Sequence, residues 1–266
     1  FLQFNLNEPS GAFRSRVYPH IDYFLQRIKD GARLAFKNLS TFETERRTAE
    51  LKELIKYINE LLDNMFLSIY SGSSFQRKTM CLEMILNFVQ QFSPQPTKGS
   101  DFTPLLKEVG LTLNIQTANN TDMLLNCLFD SFDPNRQLAQ SILLTFGTPL
   151  PGYETEDKLL HLMQRSLNIL HSPRMRECDS GALLLKVLLT KYVIQGGWTI
   201  GFVHRGELGI EYQLRHTNEG TPETRLFAFY DQLLALLDVH IAQYKQDRKH
   251  ASTFYPLHGP MTALRY

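Results

Sequence analysis

Amphipathic helices follow one another along this chain, and three of them open on a small or proline-bearing turn with arginine close behind. The openings are Ser74-Phe75-Gln76-Arg77, Asp133-Pro134-Asn135-Arg136 and Ser172-Pro173-Arg174-Met175-Arg176, each leading into aliphatic residues. A helix with one apolar face must cover it against another element, and reiterated helix pairs with no closing element do so by stacking. The pattern predicts an all-α, armadillo/HEAT-like α-solenoid segment, and scaffolds of that kind usually bind rather than catalyse.

The apolar stripes place the helices. Ile21, Phe24, Leu25, Ile28, Ala32, Ala35 and Phe36 share one helical face, with Pro19 near a kink or the first turn. After Ser40 as cap, Leu51, Leu54, Ile55, Ile58, Leu61, Leu62, Met65, Phe66 and Ile69 form the cleanest stripe, with Lys52, Glu53, Lys56, Glu60 and Asp63 off it. Ser71-Gly72-Ser73-Ser74 breaks the chain. A third helix then carries Cys81, Ile85, Phe88, Val89 and Phe92.

Pro94 to Asp101 reads as an exposed loop, and Leu105 to Ile115 stays ambiguous because of Gly110. Asp122–Phe132 and Leu138–Phe146 predict an antiparallel pair, the second capped by Asp133 with Pro134 in its first turn. Leu159, Leu160, Met163, Leu167 and Leu170 give another amphipathic helix, entered through Glu154, Glu156 and Asp157, acids that complement a helix dipole. Ala182 to Val193 is apolar nearly all round, as for a helix covered on both sides.

Periodicity fails between Gln195 and Thr221, where Gly196, Gly197, Gly201, Gly206 and Gly209 punctuate the chain, with Trp198, Phe202 and Tyr212 between them. This predicts a glycine-rich loop or hairpin insertion. Thr221-Pro222-Glu223 then starts a long helix along Phe227, Tyr230, Leu234, Leu237, Ile241 and Tyr244, ending in basic residues from Lys245 to His250. A new helical pattern begins near the final Tyr266. With Phe1 at the start, the expectation is one repeat segment, 1–266, cut from a much longer protein.

Chemistry is hard to find. There is no G-x-S-x-G elbow, Walker loop or H-E-x-x-H pair, and the glycines after Gln195 do not spell G-x-G-x-x-G. His161 and His171 lie ten residues apart and diverge around the helix axis by about 80°. Cys81, Cys127 and Cys178 stand far apart with no CxxC, which argues for a reducing compartment and against a zinc site. The N-x-S/T matches at Asn38 and Asn119 read as chance without a signal segment. The reading is a cytoplasmic, non-catalytic scaffold with no cofactor, no metal and no small-molecule substrate. A net charge of +1 gives no global field for nucleic acid or membrane.

Local charge is different. From Ser10 to Ser40, Arg14, Arg16, Arg27, Lys29, Arg33 and Lys37 face only Asp22 and Asp30. Arg77 with Lys78, Arg136, and Arg174 with Arg176 all fall near helix starts, where the dipole favours acids. One reading is a row of cations along the stack edge that meets RNA phosphate or an acidic partner. The other is a solvated edge, or arginines pairing with carboxylates of the preceding repeat. Trp198, Phe202 and Arg205 mark the glycine-rich loop as a candidate partner contact, although a lone tryptophan more often tucks a loop onto the core.

Three segments carry a resemblance: Ser73-Ser74-Phe75-Gln76-Arg77-Lys78, then Met175-Arg176-Glu177-Cys178-Asp179-Ser180-Gly181-Ala182, and Tyr255-Pro256-Leu257-His258-Gly259-Pro260-Met261-Thr262-Ala263-Leu264-Arg265. Together they resemble the thyroid adenoma-associated protein (THADA) family, over most of the chain. The resemblance implies a large helical-repeat protein, a non-catalytic scaffold subunit that pairs with a methyltransferase and positions tRNA for 2′-O-methylation in the anticodon loop. It also implies regulation of a membrane calcium pump, the alternative being a protein-interaction scaffold without direct RNA contact. That family's arginine-rich signature with a Ser-Ala-Gly core is not in this sequence, so no functional residue is carried over by position.

Overall fold

Helices form where the three-and-four stripes lie, because each stripe can be buried only by another helix. The structure, a computed structural model, describes residues 10–35, 41–92, 112–204, 210–217, 219–247 and 255–265. Ser40, Phe36, the Pro94–Asp101 loop, residues 105–111 and Arg205 lie outside the described residues. The chain divides into two compact units, Phe1–Met123 and Leu124–Tyr266.

In the first unit, α1 (Gly11–Ala35) and α2 (Thr41–Leu67) pack on α3 (Phe75–Phe92). The α2 stripe is buried as its spacing predicts, through Leu51, Ile55, Ile58, Leu62, Met65 and Phe66. On α3, with which it is in contact, Met80, Cys81, Met84, Ile85, Phe88 and Val89 are buried too. The α1 face is rotated from the expected one: Leu25 and Lys29 are buried, while Phe24 is exposed and Pro19 sits inside the helix. The cause is polar. Near the start of α1, Tyr18 donates to Glu83 and Arg14 Nε pairs with that carboxylate at 3.5 Å, while further along Lys29 Nζ donates to Gln91 O at 3.0 Å. The order of these contacts makes α1 and α3 parallel, as alternate helices of a stack are. Asn59 of α2 latches the following chain, donating to Thr112 O at 3.0 Å and accepting from Asn114 N at 2.8 Å.

Helix α4 (Ala118–Cys127) starts four residues before the expected Asp122, since Thr117 Oγ1 accepts the Asn120 N–H at 3.2 Å and caps it. In the second unit come α5 (Asp133–Thr145), α6 (Glu156–Leu170) and α7 (Met175–Leu188). The cap of α5 is Phe132, not Asp133, which is already helical; Asp130 Oδ1 accepts from Phe132 N at 2.8 Å and shapes the turn. Glu154 lies before α6 and accepts the Gly152 N–H at 2.7 Å, where Gly152 has a φ of 87° that disfavours any side chain. Helices α6 and α7 are antiparallel and very close. Ser166 Oγ donates to Gly181 O at 3.0 Å, and a Cβ on Gly181 would stand 3.0 Å from Leu170 N.

Helix α7 is buried nearly all round, with Ala182 to Leu185, Val187 and Leu188 each below the surface. It runs on as a π-helical segment, Leu189–Gln195, a widened turn often found where side chains must be re-aimed. Tyr192 in it donates to Tyr153 O at 3.0 Å and accepts from Leu150 N at 3.2 Å, tying down the preceding loop. The glycine-rich stretch folds as an antiparallel hairpin of β1 (Trp198–His204) and β2 (Ile210–His216), with Trp198 opposite His216. Then α8 (Pro222–Gln246) opens on a Thr221–Thr224 capping box with Pro222 in its first turn. Its buried stripe is Arg225, Phe229, Leu233, Leu236 and His240, so Phe227 and Leu234 of the expected face are exposed. Helix α9 (Tyr255–Arg265) packs on α7 and α8.

Candidate functional site

Two kinds of cation sit at the candidate positions, those turned inward and those left outside. Arg136 is 6% exposed. Its Nη2 and Nε reach Asp133 Oδ1 at 2.8 and 3.3 Å, and Nη1 lies 3.3 Å from Arg176 O, so it ties α5 to α7. Four residues along, Gln140 Nε2 repeats the tie, donating to Leu183 O at 3.3 Å. Lys78 is buried as well, its Nζ donating to Ser71 O at 3.1 Å across the α2–α3 turn.

Arg174 is exposed and pairs with Glu177 at 3.0 Å. Hydrogen bonds from Ser172 and then Arg174 hold the Glu177 carboxyl below the usual carboxylate range. Arg176 is exposed, and only its carbonyl is engaged by Arg136 and Ser180. In the first unit, Arg77 is half-buried, with its Nε shielded from solvent and lacking an acceptor. Arg174 and Arg176 thus share the start of α7, while Arg77 stands in the other unit.

Trp198 is half-buried and stacks edge-on against His216, ring centroids 5.2 Å apart, at the base of the hairpin. Phe202 is opposite Tyr212 in the β1–β2 register. Arg205 falls between the strands, outside the described residues.

Sequence reasoning passed over three groups. Lys191 is 2% exposed, and its Nζ donates to Phe146 O and, at 3.3 Å, to Gln195 Oε1; burial alone lowers its pKa from the usual lysine value. Arg225 donates through Nε and Nη2 to Val193 O at 3.3 and 3.2 Å, and through Nη1 to Gly220 O at 3.0 Å. The third group is a set of exposed apolar side chains, Leu67, Tyr70 and Phe75, at the α2–α3 turn. The first two are hard to foresee because a lysine or arginine in a helix normally reads as a solvated position. The third could have been found from the aromatics flanking Ser71-Gly72-Ser73-Ser74.

Little here points to catalysis by these residues. The thiol of Cys81 is pushed up to about 12 by burial, far from a reactive thiolate. His171 Nδ1 is held 2.7 Å from Leu167 O, and its ring meets His240 edge-on with centroids 5.8 Å apart. Among the described residues no three His, Cys, Asp or Glu side chains gather as metal ligands, and no helix is long and apolar enough to cross a membrane.

Comparison with known proteins gives the arrangement a context. Residues 1–137 match a family model described as "Trm732, TPR repeats". TPR, like armadillo and HEAT, is a repeat of stacked helix pairs, and the all-α solenoid class stands. The chain is 22% identical over 272 residues to a Gallus gallus protein named "tRNA (32-2'-O)-methyltransferase regulator THADA", covering 97% of this chain and 13% of that protein. Proteins of the same name from Mus musculus and Homo sapiens are 22% and 19% identical over 71% of the chain and 10% of their own length. The chain therefore spans about a tenth of the length of these relatives. No solved structure matches.

Proposed function

Because the chain belongs to the Trm732, TPR repeats family, we propose that it is a non-catalytic segment of a cytoplasmic regulator of tRNA 2′-O-methylation. In this reading a partner methyltransferase supplies the transfer chemistry in the anticodon loop, and the helical stack holds the tRNA and that partner in register. The observation that carries it is the family match, together with relatives named as regulators of a tRNA (32-2'-O)-methyltransferase. The exposed Arg174 and Arg176 at the first turn of α7 support a phosphate-holding role, since the guanidinium of Arg176 is engaged by no described residue. The inward Arg136 braces that turn through the Arg176 carbonyl and is structural in this reading.

The test uses the full-length protein with its methyltransferase. Replacing both residues (Arg174→Glu, Arg176→Glu) should weaken tRNA binding and flatten its salt dependence by about 0.9 per lost phosphate contact. Methylation of nucleotide 32 should fall while capture of the methyltransferase stays intact. Unchanged binding and methylation would remove these arginines from the RNA path. The second reading, a protein-only scaffold, is favoured by one observation: Trp198, half-buried against His216, offers an aromatic anchor at the base of a hairpin. Deleting residues 199–215 and losing the methyltransferase with tRNA affinity intact would favour that reading.

A further inference from the structure

Helix α8 carries two apolar stripes, and the second unit buries only one of them. The inward stripe runs from Arg225 through Phe229, Leu233 and Leu236 to His240. The other is Phe227, Tyr230, Leu234, Leu237, Ile241 and Tyr244, which share an arc of about 100° along about 26 Å of helix. No charged side chain falls on that arc between Phe227 and Tyr244. Phe227 and Leu234 are 63 and 45% exposed, and the other four are half-buried. At the N-terminal end of the stripe a cleft of about 200 Å³ opens among Leu189 and Ile194 of the π segment, Tyr230 of α8 and Ala263 of α9, with Lys186 its one charged lining residue.

Composition and shape decide what such a surface suits. A partner that comes and goes meets a surface about as polar as the rest of a protein, whereas a long strip without charge resembles the inside of a permanent interface. Nucleic acid is excluded as the main occupant, because the strip offers it no cation. Apolar residues at three-and-four spacing along a straight axis present the ridges and grooves that another helix fills. Helix α7 shows the finished state in this fold: it is apolar nearly all round and packs against α5, α6 and α9. The relatives supply the source. This chain spans 13% of the Gallus gallus protein and 10% of the Mus musculus one, so sequence for further helix pairs is abundant in proteins of this kind.

We propose that the Phe227–Tyr244 stripe is the packing seam for one further helix of the same polypeptide, drawn from sequence outside residues 1–266, with one of its aliphatic side chains seated in the cleft beside Tyr230. The inference goes beyond the RNA-handling reading and holds or falls apart from it. It makes α8 a helix covered on both sides, and it withdraws this face from the methyltransferase and from tRNA.

The experiment takes the full-length protein with its methyltransferase and places the photo-cross-linker p-benzoylphenylalanine at position 227. Heavy-isotope and unlabelled protein are mixed, so that a second copy betrays itself as a mixed pair. Irradiation and peptide mapping should join residue 227 to a peptide of the same polypeptide outside residues 1–266. A cross-link to the methyltransferase, to a second copy or to residues within 1–266 overturns the seam, and so does none at all. Amide exchange gives the second measurement. Leu234→Gln should speed exchange in α8 about tenfold or more, as losing a buried leucine does, and Leu234→Met should restore it. Val239 is 42% exposed on the far side of the same helix, so Val239→Gln should change little. Equal exchange in the two glutamine variants would show that Leu234 faces water in the whole protein, and the seam would be overturned.

Discussion

Arg225 offers a sharp test of what holds the second unit together. Its guanidinium is buried with no carboxylate at ion-pair distance among the described residues, yet it is satisfied by carbonyls: Val193 O twice, Gly220 O and, at 3.4 Å, Glu219 O. Val193 is buried near the end of the π segment, where terminal carbonyls have no intrahelical donor. Replacing Arg225 by Met keeps most of the apolar stem and removes the donors. Glu219 and Gly220 are exposed and rehydrate at little cost, whereas the Val193 carbonyl is stranded. A stranded buried carbonyl costs about 1–3 kcal/mol, and relief from burying a cation offsets part of it. The expected loss is therefore about 2 kcal/mol in urea unfolding, with faster amide exchange first in residues 194–200 and 219–225. A loss below about 0.5 kcal/mol, or a gain, would refute the capping account, because the guanidinium would then cost as much as it returns.

Three further outcomes follow from the same geometry. Cys81, Cys127 and Cys178 are all buried and the Cys81 thiol is raised to about 12, so a disulfide reagent at pH 8 should find no fast-reacting thiol until the chain unfolds; one reacting within seconds would contradict this. Lys191 has a folded pKa below its unfolded value near 10.5, so its stabilising share is present above that value and is lost as pH falls through the folded one. The stability of the original chain relative to a Lys191→Met variant should accordingly rise between pH 8 and 10.5 in paired urea titrations, and a flat difference would argue against a desolvated ammonium. Gly259→Ala would place a Cβ 1.8 Å from Leu170 O, a backbone atom that cannot turn aside; α9 should shift off α6 with a loss of about 1–3 kcal/mol and faster exchange in α9, and an unchanged melt would show the contact is looser than it looks.

The parts of the fold governed by one strong stripe were legible in advance. The α2 face from Leu51 to Phe66, the all-round burial of Ala182 to Leu188 and the Thr221-Pro222 helix start could all be read from spacing and punctuation, and the glycine-rich stretch, read as a loop or a hairpin, is a hairpin. Faces were misread where a polar residue had an internal partner. On α1 the inward position goes to Lys29 because Gln91 offers a carbonyl, and Phe24 is turned out. On α8 the inward position goes to Arg225 for the same reason, and Phe227 is turned out. A periodicity argument scores Lys and Arg as surface and Phe as core, so it rotates both helices the wrong way. The candidate site suffered likewise: spacing marked Arg77, Arg136, Arg174 and Arg176 as one class, and only the fold separates the buried Arg136 and half-buried Arg77 from the exposed Arg174 and Arg176.

That separation has a general basis in this chain. A stack of helices brings the C-terminal carbonyls of one helix beside the flank of another, and those carbonyls carry the negative end of the dipole. Lys29 reaches the end of α3, Lys191 the residue after α5, and Arg225 the end of the π segment. A long cationic side chain suits the gap because its stem packs as hydrocarbon while its head meets several carbonyls at once. The cations left for a polyanion are those that face no carbonyl and stand open to solvent, and Arg176 meets both conditions among the described residues while the half-buried Arg77 and the buried Arg136 do not. If RNA is held as proposed, charge reversal at Arg176 should alter its salt dependence with little change in unfolding, and Arg136→Met should do the opposite. An Arg136 variant that keeps its stability but loses RNA would break the distinction between inward and outward cations on which the assignment stands.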